Sequence, residues 1–199
     1  MIPGRHILAG FILGHRHRYQ LAALAETTPA GQTITVLDPH QLKTSGIRAL
    51  ALDFDGVLAH HGAEVPLEQV QQWLIRAVQV FGAEQIAILS NKPTRARLDW
   101  FGLNFPGIRF IAGVRKKPYP DGLIKTAELT GTPLSSILMV DDRLLTGCLA
   151  AILSGARPCW INHPFVSYSH RPVAELVFML LRRTERLLVT GLKKKESDS

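Results

Sequence analysis

The stretch ALALDFDGVLAHHG, residues 49–62, decides the fold. Its apolar run, Ile47 to Phe54, is too short for a helix and shows no alternation, the look of a strand buried on both faces as in a parallel sheet. At its end stand Asp53 and Asp55, two apart, with Gly56 to let the chain turn. Outward from this strand the same grammar repeats. Helices are expected over Leu67 to Phe81, Thr94 to Phe101, Gly122 to Leu129 and Leu144 to Leu153, the last closed by Gly155. Between them, strands are expected over Gln85 to Leu89, Ile108 to Ala112, Ile137 to Val140 and Pro158 to Ile161. Strands alternating with helices imply an α/β fold, a doubly wound, Rossmann-like parallel sheet with helices on both faces.

The ends of the chain read differently. Residues 4 to 25 have a helical pattern weakened by Gly10 and Gly14, a loop follows, and Asp38-Pro39 starts a short helix that Gly46 stops. From Pro172 to Leu192, Val173, Leu176, Val177, Leu180, Leu187 and Leu188 share one side of a helix with Arg182 and Arg186 opposite, and Lys193 to Lys195 follow. The chain therefore divides into an N-terminal helical extension (1–46), a core (47–165) and a C-terminal amphipathic basic helix and tail (166–199).

Composition narrows the class. The 199 residues suffice for one well-buried domain, and 46% apolar with 20% charged residues is a globular composition. No window approaches the roughly 18 consecutive apolar residues of a membrane helix, and the first twenty residues lack an evident cleavage site after their short apolar run. Cys148 and Cys159 have no metal-ligand spacing and read as reduced packing thiols, as in the cytoplasm. A net charge of +7 favours polyanionic partners: anionic lipid, a phosphorylated substrate or nucleic acid.

In doubly wound sheets the ligand sits beyond the carboxyl ends of the strands. There the sequence places Asp53 and Asp55, then Ser90 and Asn91, then Lys116 and Lys117, then Asp141 and Asp142. Taken singly, an Asp before Gly is a turn, a Ser after a strand is a helix cap, and a Lys pair is solvated. Together they agree on one chemistry. Clustered carboxylates call for a hard cation such as Mg²⁺, and a hydroxyl with a lysine suits a phosphoryl group. Where the strand turns, Asp53 can point at a phosphorus as nucleophile while Asp55 lies beside the leaving group to donate and later remove a proton.

At these residues the chain resembles the haloacid dehalogenase superfamily of phosphotransferases. Its motifs match LALDFDGVL, the Ser of ILSN, a Lys before Pro in RKKP, and the acidic pair of MVDD, in order across residues 47 to 143. The resemblance implies Asp53 as nucleophile and metal ligand, and Asp55 as acid and base with its backbone carbonyl on the metal. It implies Ser90 and Asn91 on the phosphoryl group, Lys117 neutralising it, and Asp142 completing a Mg²⁺ site with Asp141 nearby. The third motif is ambiguous because Lys116 adjoins Lys117.

Many relatives carry a cap domain after the first motif or between the second and third; here Ala59 to Pro66 leave no room for one, and residues 91 to 115 are taken by a helix and a strand. An open site suits a phosphate on something large. His60 and His61 lie in the short flap, where contact with substrate or phosphate stands beside the commoner reading as exposed loop residues, and they are left out of the catalytic set. Within the superfamily the chain is most similar to the capless YqeG-like branch, which includes phosphatidylglycerophosphate phosphatases, through LDPHQLKTSGIRALALDFDGVL, LSNKPTRARL, RKKP and MVDDRLLTG. That branch has Gly-Asp at the fourth motif and a second Asp five residues later, whereas this chain has Asp141-Asp142 and Gly147.

The function implied is a Mg²⁺-dependent phosphatase acting on a lipid phosphate. Its partners would be a phosphorylated headgroup and an anionic membrane surface reached by the basic C-terminal helix, in the cytoplasm or peripheral to a membrane. No nucleic-acid partner is expected, for want of an aromatic-rich binding strand. Two alternatives stay open: a phosphatase for a nucleotide, a nucleic-acid end or a phosphoprotein, and a non-catalytic basic binding module. For the C-terminal helix, packing on its own domain stands beside membrane contact.

Overall fold

A computed structural model describes residues 5–90, 93–168 and 172–197. Five parallel strands, β1 (Ala49–Leu52), β2 (Ile86–Leu89), β3 (Arg109–Ile111), β4 (Ile137–Asp141) and β5 (Arg157–Trp160), lie in the order β3-β2-β1-β4-β5. The helices are α1 (Arg5–Arg16), α2 (Arg18–Thr27), α3 (Pro39–Thr44), α4 (Glu68–Phe81), α5 (Arg95–Asn104), α6 (Asp121–Thr130), α7 (Leu149–Ser154) and α8 (Pro172–Ser197). This is the doubly wound α/β sheet that the alternation of strands and helices implies.

The two-residue repeat of β1 explains why it is apolar throughout. Leu50 and Leu52 pack with Trp73 and Leu74 of α4 and Phe101 of α5. Ala49 and Ala51 face the other way, toward Leu123 of α6, Met139 of β4 and Ala150 of α7. Both faces are buried, so neither side of the strand can be polar. A third cluster joins Leu21 of α2, Leu144 and Leu145 before α7, Trp160 of β5 and Val189 of α8, and it fastens the terminal helices to the sheet.

Element boundaries depart from expectation in two instructive places. The N-terminal helix breaks at His17 into α1 and α2. Its Gly14 lets α1 approach, since a Cβ there would stand 2.4 Å from Leu145 Cδ2. The helix expected from Leu144 begins as a π-helical turn, Leu144–Cys148, and becomes α-helical only at Leu149. Elsewhere local chemistry acts as expected: Asp38 accepts from His40 N at 2.9 Å and caps α3. Both cysteines are buried and free.

The C-terminal helix overturns the usual meaning of its pattern. Its polar residues point inward: Glu175 and Glu185 are buried, and Arg182 is nearly so. Its apolar residues point out, with Val173 75% and Leu187 69% exposed and Leu176, Val177, Leu180 and Leu188 also exposed. Packing on the domain does occur, through the opposite face. Glu185 accepts from Arg143 Nε at 2.9 Å and from Leu145 N at 3.3 Å. Glu185→Ala strips the partner from a mostly buried guanidinium and should cost about 2–3 kcal/mol, somewhat below a fully buried pair because Arg143 keeps some solvent. Urea denaturation measures the loss, and limited proteolysis should show α8 cut first.

Candidate active site

The order β3-β2-β1-β4-β5 reverses direction between β1 and β4, which makes the crevice at their carboxyl ends the place for a ligand. Register does the rest. Leu52 pairs with Val140, so the next residues, Asp53 and Asp141, stand side by side on adjacent strands roughly 5 Å apart. Asp53 N donates to Val140 O at 2.9 Å, which fixes the first residue beyond β1. Asp142 comes one residue later, and carboxylate oxygens of Asp53, Asp141 and Asp142 lie within 4.8 Å of one another.

Like charges so close require a counter-charge. Lys117 supplies it, its Nζ 2.9 Å from Asp53 Oδ1 and in contact with Asp141 Oδ2. The neighbouring Lys116 is exposed and only lines the same cavity. Of the two adjacent lysines, it is Lys117 that faces the acids. Asp141 is held further by Arg143 N at 2.9 Å and by the Thr146 hydroxyl at 3.1 Å. Asp142 Oδ2 accepts from Arg182 Nε of α8 at 2.6 Å.

Two glycines make room for these carboxylates. Gly56 has φ 84°, and a Cβ there would meet Asp142 Oδ2 at 2.5 Å, so the turn after Asp55 needs glycine on both counts. A Cβ on Gly147 would stand 2.1 Å from Asp141 Oδ2. The Asp141 carboxylate therefore fills the space into which a side chain at 147 would project.

Asp55 sits apart from the cluster. Its carboxylate is forked by Arg97, with Nη2 to Oδ1 at 2.8 Å and Nη1 to Oδ2 at 3.3 Å, and Gly62 N lies 3.4 Å from Oδ1. Arg97 is itself buried, stacked 3.8 Å over the Phe54 ring and bonded to Ala63 O. The carboxylates of Asp53, Asp141 and Asp142 come together; that of Asp55, expected at a metal only through its backbone carbonyl, is held to one side by the guanidinium.

One cavity of about 410 Å³ is lined by Asp53, Asp55, Ser90, Lys117 and Asp142, together with His61, Lys116, Arg143, Thr146 and Phe178. Ser90 is buried just beyond β2, and Asn91 lies outside the described residues. No cap domain is inserted among the described residues, but the mouth is not open as the sequence implies. Phe178 of α8 stacks on the His61 ring, centroids 3.9 Å apart, and Glu175 of α8 accepts from His61 N at 3.2 Å. His61 is therefore a wall residue and not a solvated loop residue. Sequence reasoning missed Arg97, Phe178 and Arg182 because each acts across a long chain separation; the one local hint was an arginine on the polar side of an amphipathic helix.

Burial pushes the Asp53 carboxyl up from an ordinary 3.8 to about 8, with Lys117 opposing and Asp141 and Asp142 adding to the rise. Burial likewise raises Asp142 to about 6 against the pull of Arg182. Burial works against the charge on Lys117, but Asp141 and Asp53 outweigh it and raise its pKa.

No family model and no curated protein matches the chain. Among solved structures, an uncharacterized protein from Corynebacterium glutamicum is similar at a TM-score of 0.46 and 20% identity, covering 73% of this chain and 96% of that one. A likeness so distant carries no argument about function.

The raised carboxyls give a signed expectation. A folded pKa above the unfolded one means the folded chain binds the extra proton, so this contribution to stability is full below about pH 4 and is lost as pH rises to about 8. Chemical denaturation in chelator should show stability falling across that window. Asp53→Asn should flatten the slope, and an added divalent cation should stabilise more at the alkaline end than at the acid end.

Proposed function

We propose that the chain is a phosphomonoesterase of the haloacid dehalogenase type that forms an aspartyl-phosphate on Asp53 and takes a lipid phosphate such as phosphatidylglycerophosphate. The observation that carries it is the cluster of Asp53, Asp141 and Asp142 with Lys117 Nζ between the first two. A purely structural ion pair needs one acid and one base; three convergent carboxylates in a cavity suit a cation and a phosphoryl group.

Three carboxylates fit Mg²⁺, and Asp53, Asp141 and Asp142 would hold it, with the Asp55 backbone carbonyl added by the family resemblance. Bound there, the cation would neutralise phosphoryl oxygens and hold them for in-line attack. The chain's own groups supply the remainder. An Asp53 carboxylate oxygen attacks phosphorus, and the bond from phosphorus to the leaving alcohol oxygen breaks. Asp55 gives that oxygen a proton, and then takes one from the water that attacks phosphorus and frees Asp53. The longer arm of the Arg97 fork leaves Asp55 Oδ2 the less firmly held oxygen, and so the one to exchange the proton. Lys117 and the Ser90 hydroxyl offset the phosphoryl charge.

The acid expected at 147 is absent, and its space is filled by Asp141. On this reading the two positions have exchanged roles: the family's Gly-then-Asp pattern has become Asp-then-Gly, with one carboxylate delivered to the same place from β4. A cavity of about 410 Å³ admits a phosphoglycerol-sized headgroup and leaves acyl chains outside, which supports a substrate carried in a larger assembly.

Phosphate release from phosphatidylglycerophosphate in detergent, compared with a panel of soluble phosphate esters with and without Mg²⁺, tests the reading. Asp53→Asn should reduce turnover by at least about 1,000-fold, and intact turnover would sink the covalent mechanism. Better turnover of soluble esters would remove the lipid substrate but keep the chemistry.

The exchange has its own test. Asp141→Gly should lose Mg²⁺-dependent turnover, and Gly147→Asp alone should clash with Asp141 and lower stability. The double variant Asp141→Gly/Gly147→Asp should regain turnover. Failure of the double variant, with its fold intact by circular dichroism, would show that the acid at 141 does not stand in for one at 147.

A further inference from the structure

We infer that the outward face of α8, continued by α1, is a docking surface for a bilayer containing anionic lipid. The inference rests on the lipid-phosphate reading for the use it gives the surface, but its evidence and its test are separate. Hydrophobic burial ordinarily turns the apolar stripe of a helix toward the domain. Here Val173, Leu176, Val177, Leu180, Leu187 and Leu188 face outward along one stripe, while Glu175, Arg182 and Glu185 face in. Single exposed apolar residues elsewhere on the surface are ordinary; a stripe of several helical turns is not.

The stripe does not stop at α8. Leu188 of α8 and Phe11 of α1 line one groove of about 180 Å³, and Leu8 and Ile12 of α1 are exposed beside Phe11. The joint surface therefore spans two helices.

Charge selects the occupant. From Met1 to Ala25 the chain has no acid, and between Pro172 and Val189 the only acids are Glu175 and Glu185, both buried against the core. What remains outside is basic: Arg183 at the edge of the stripe, Arg16 on α1, and His15 and Arg18 at the shared groove. Lys193, Lys194 and Lys195 continue the same helix, followed in sequence by Glu196 and Asp198, which leave the run net basic. An apolar, basic-edged face complements an anionic bilayer, whose headgroups meet the arginines while its acyl boundary takes the leucines. A second copy of the chain is disfavoured, because a two-fold contact would set this basic face against itself. No described helix is long and apolar enough to cross a membrane, so the contact is one of lying on the surface. The inner side of α8 walls the phosphate cavity through Phe178, so docking would bring that cavity to the headgroup layer.

Co-sedimentation of the full chain with phosphatidylcholine vesicles, with and without phosphatidylglycerol, tests the proposal. Wild type should bind the mixed vesicles more tightly than pure phosphatidylcholine and lose that preference as salt rises. Leu180→Asp/Leu187→Asp should bind at least about tenfold more weakly with an unchanged melting temperature, and Arg183→Glu should weaken binding to the mixed vesicles alone. Absence of wild-type binding, or equal binding by the leucine double variant, overturns the proposal. So does a wild-type dimer in analytical ultracentrifugation that becomes monomeric in the double variant, which would assign the face to a second copy. Vesicle binding that persists in a protein with no phosphatase activity would instead overturn the function and leave this surface standing.

Discussion

Asp53 and Asp141 are forced together by strand register, and the arrangement stands because the Lys117 ammonium lies between them. Two carboxylates on adjacent strands in a partly desolvated crevice repel strongly when both ionise, unless a cation faces both or one takes up a proton, as the raised pKa of Asp53 shows. Lys117 meets that need for one pair, and Arg182 meets it for Asp142. The rest of the site follows from this constraint. Gly56 and Gly147 must lack side chains because the carboxylates lie where a Cβ would go, and Thr146 and Arg143 N are turned toward Asp141 because its remaining oxygen needs donors. On the proposed reading the same excess of acid over base creates an appetite for a divalent cation.

The strands were legible because a strand buried on both faces cannot hide: its residues are apolar without alternation, and the polar residue that follows marks where it ends. Asp53, Ser90, Asp141 and Asp142 could be named for that reason, since each sits at or just beyond such a run, whereas Lys117, six residues past β3, is marked by the Lys-Pro of RKKP. What the sequence could not show is what lies across the crevice. Arg97 reaches Asp55 over 42 residues and Arg182 reaches Asp142 over 40, and no local pattern encodes either. The π-helical turn at Leu144–Cys148 was invisible as well, because its apolar content suits an α-helix equally.

The C-terminal helix shows how a correct pattern can carry an incorrect inference. Its apolar stripe and its polar side were both readable, and the hydrophobic effect argues for burying the stripe. The crevice reverses that preference. The surface it offers to α8 contains Asp142, Arg143 and the backbone N–H groups of His61 and Leu145, and a leucine laid on those groups would leave them unsatisfied at a cost of about 1–3 kcal/mol each. A polar inner face is the one that fits, so the apolar residues have only the outside left.

A helix seated this way is held differently from its neighbours. The helices α4 to α7 are fixed by apolar burial against the sheet, whereas among its described residues α8 is fixed by ion pairs at Asp142 and Arg143 together with apolar contact through Val189. Buried ion pairs add little net stability, but they specify position strongly, because breaking one leaves a charge stranded. The position they specify is over the strand ends, where the inner face of α8 completes the cavity and its outer face stays apolar. Site and surface are therefore two sides of one element, and the chemistry of the crevice is what sets the character of the face turned away from it.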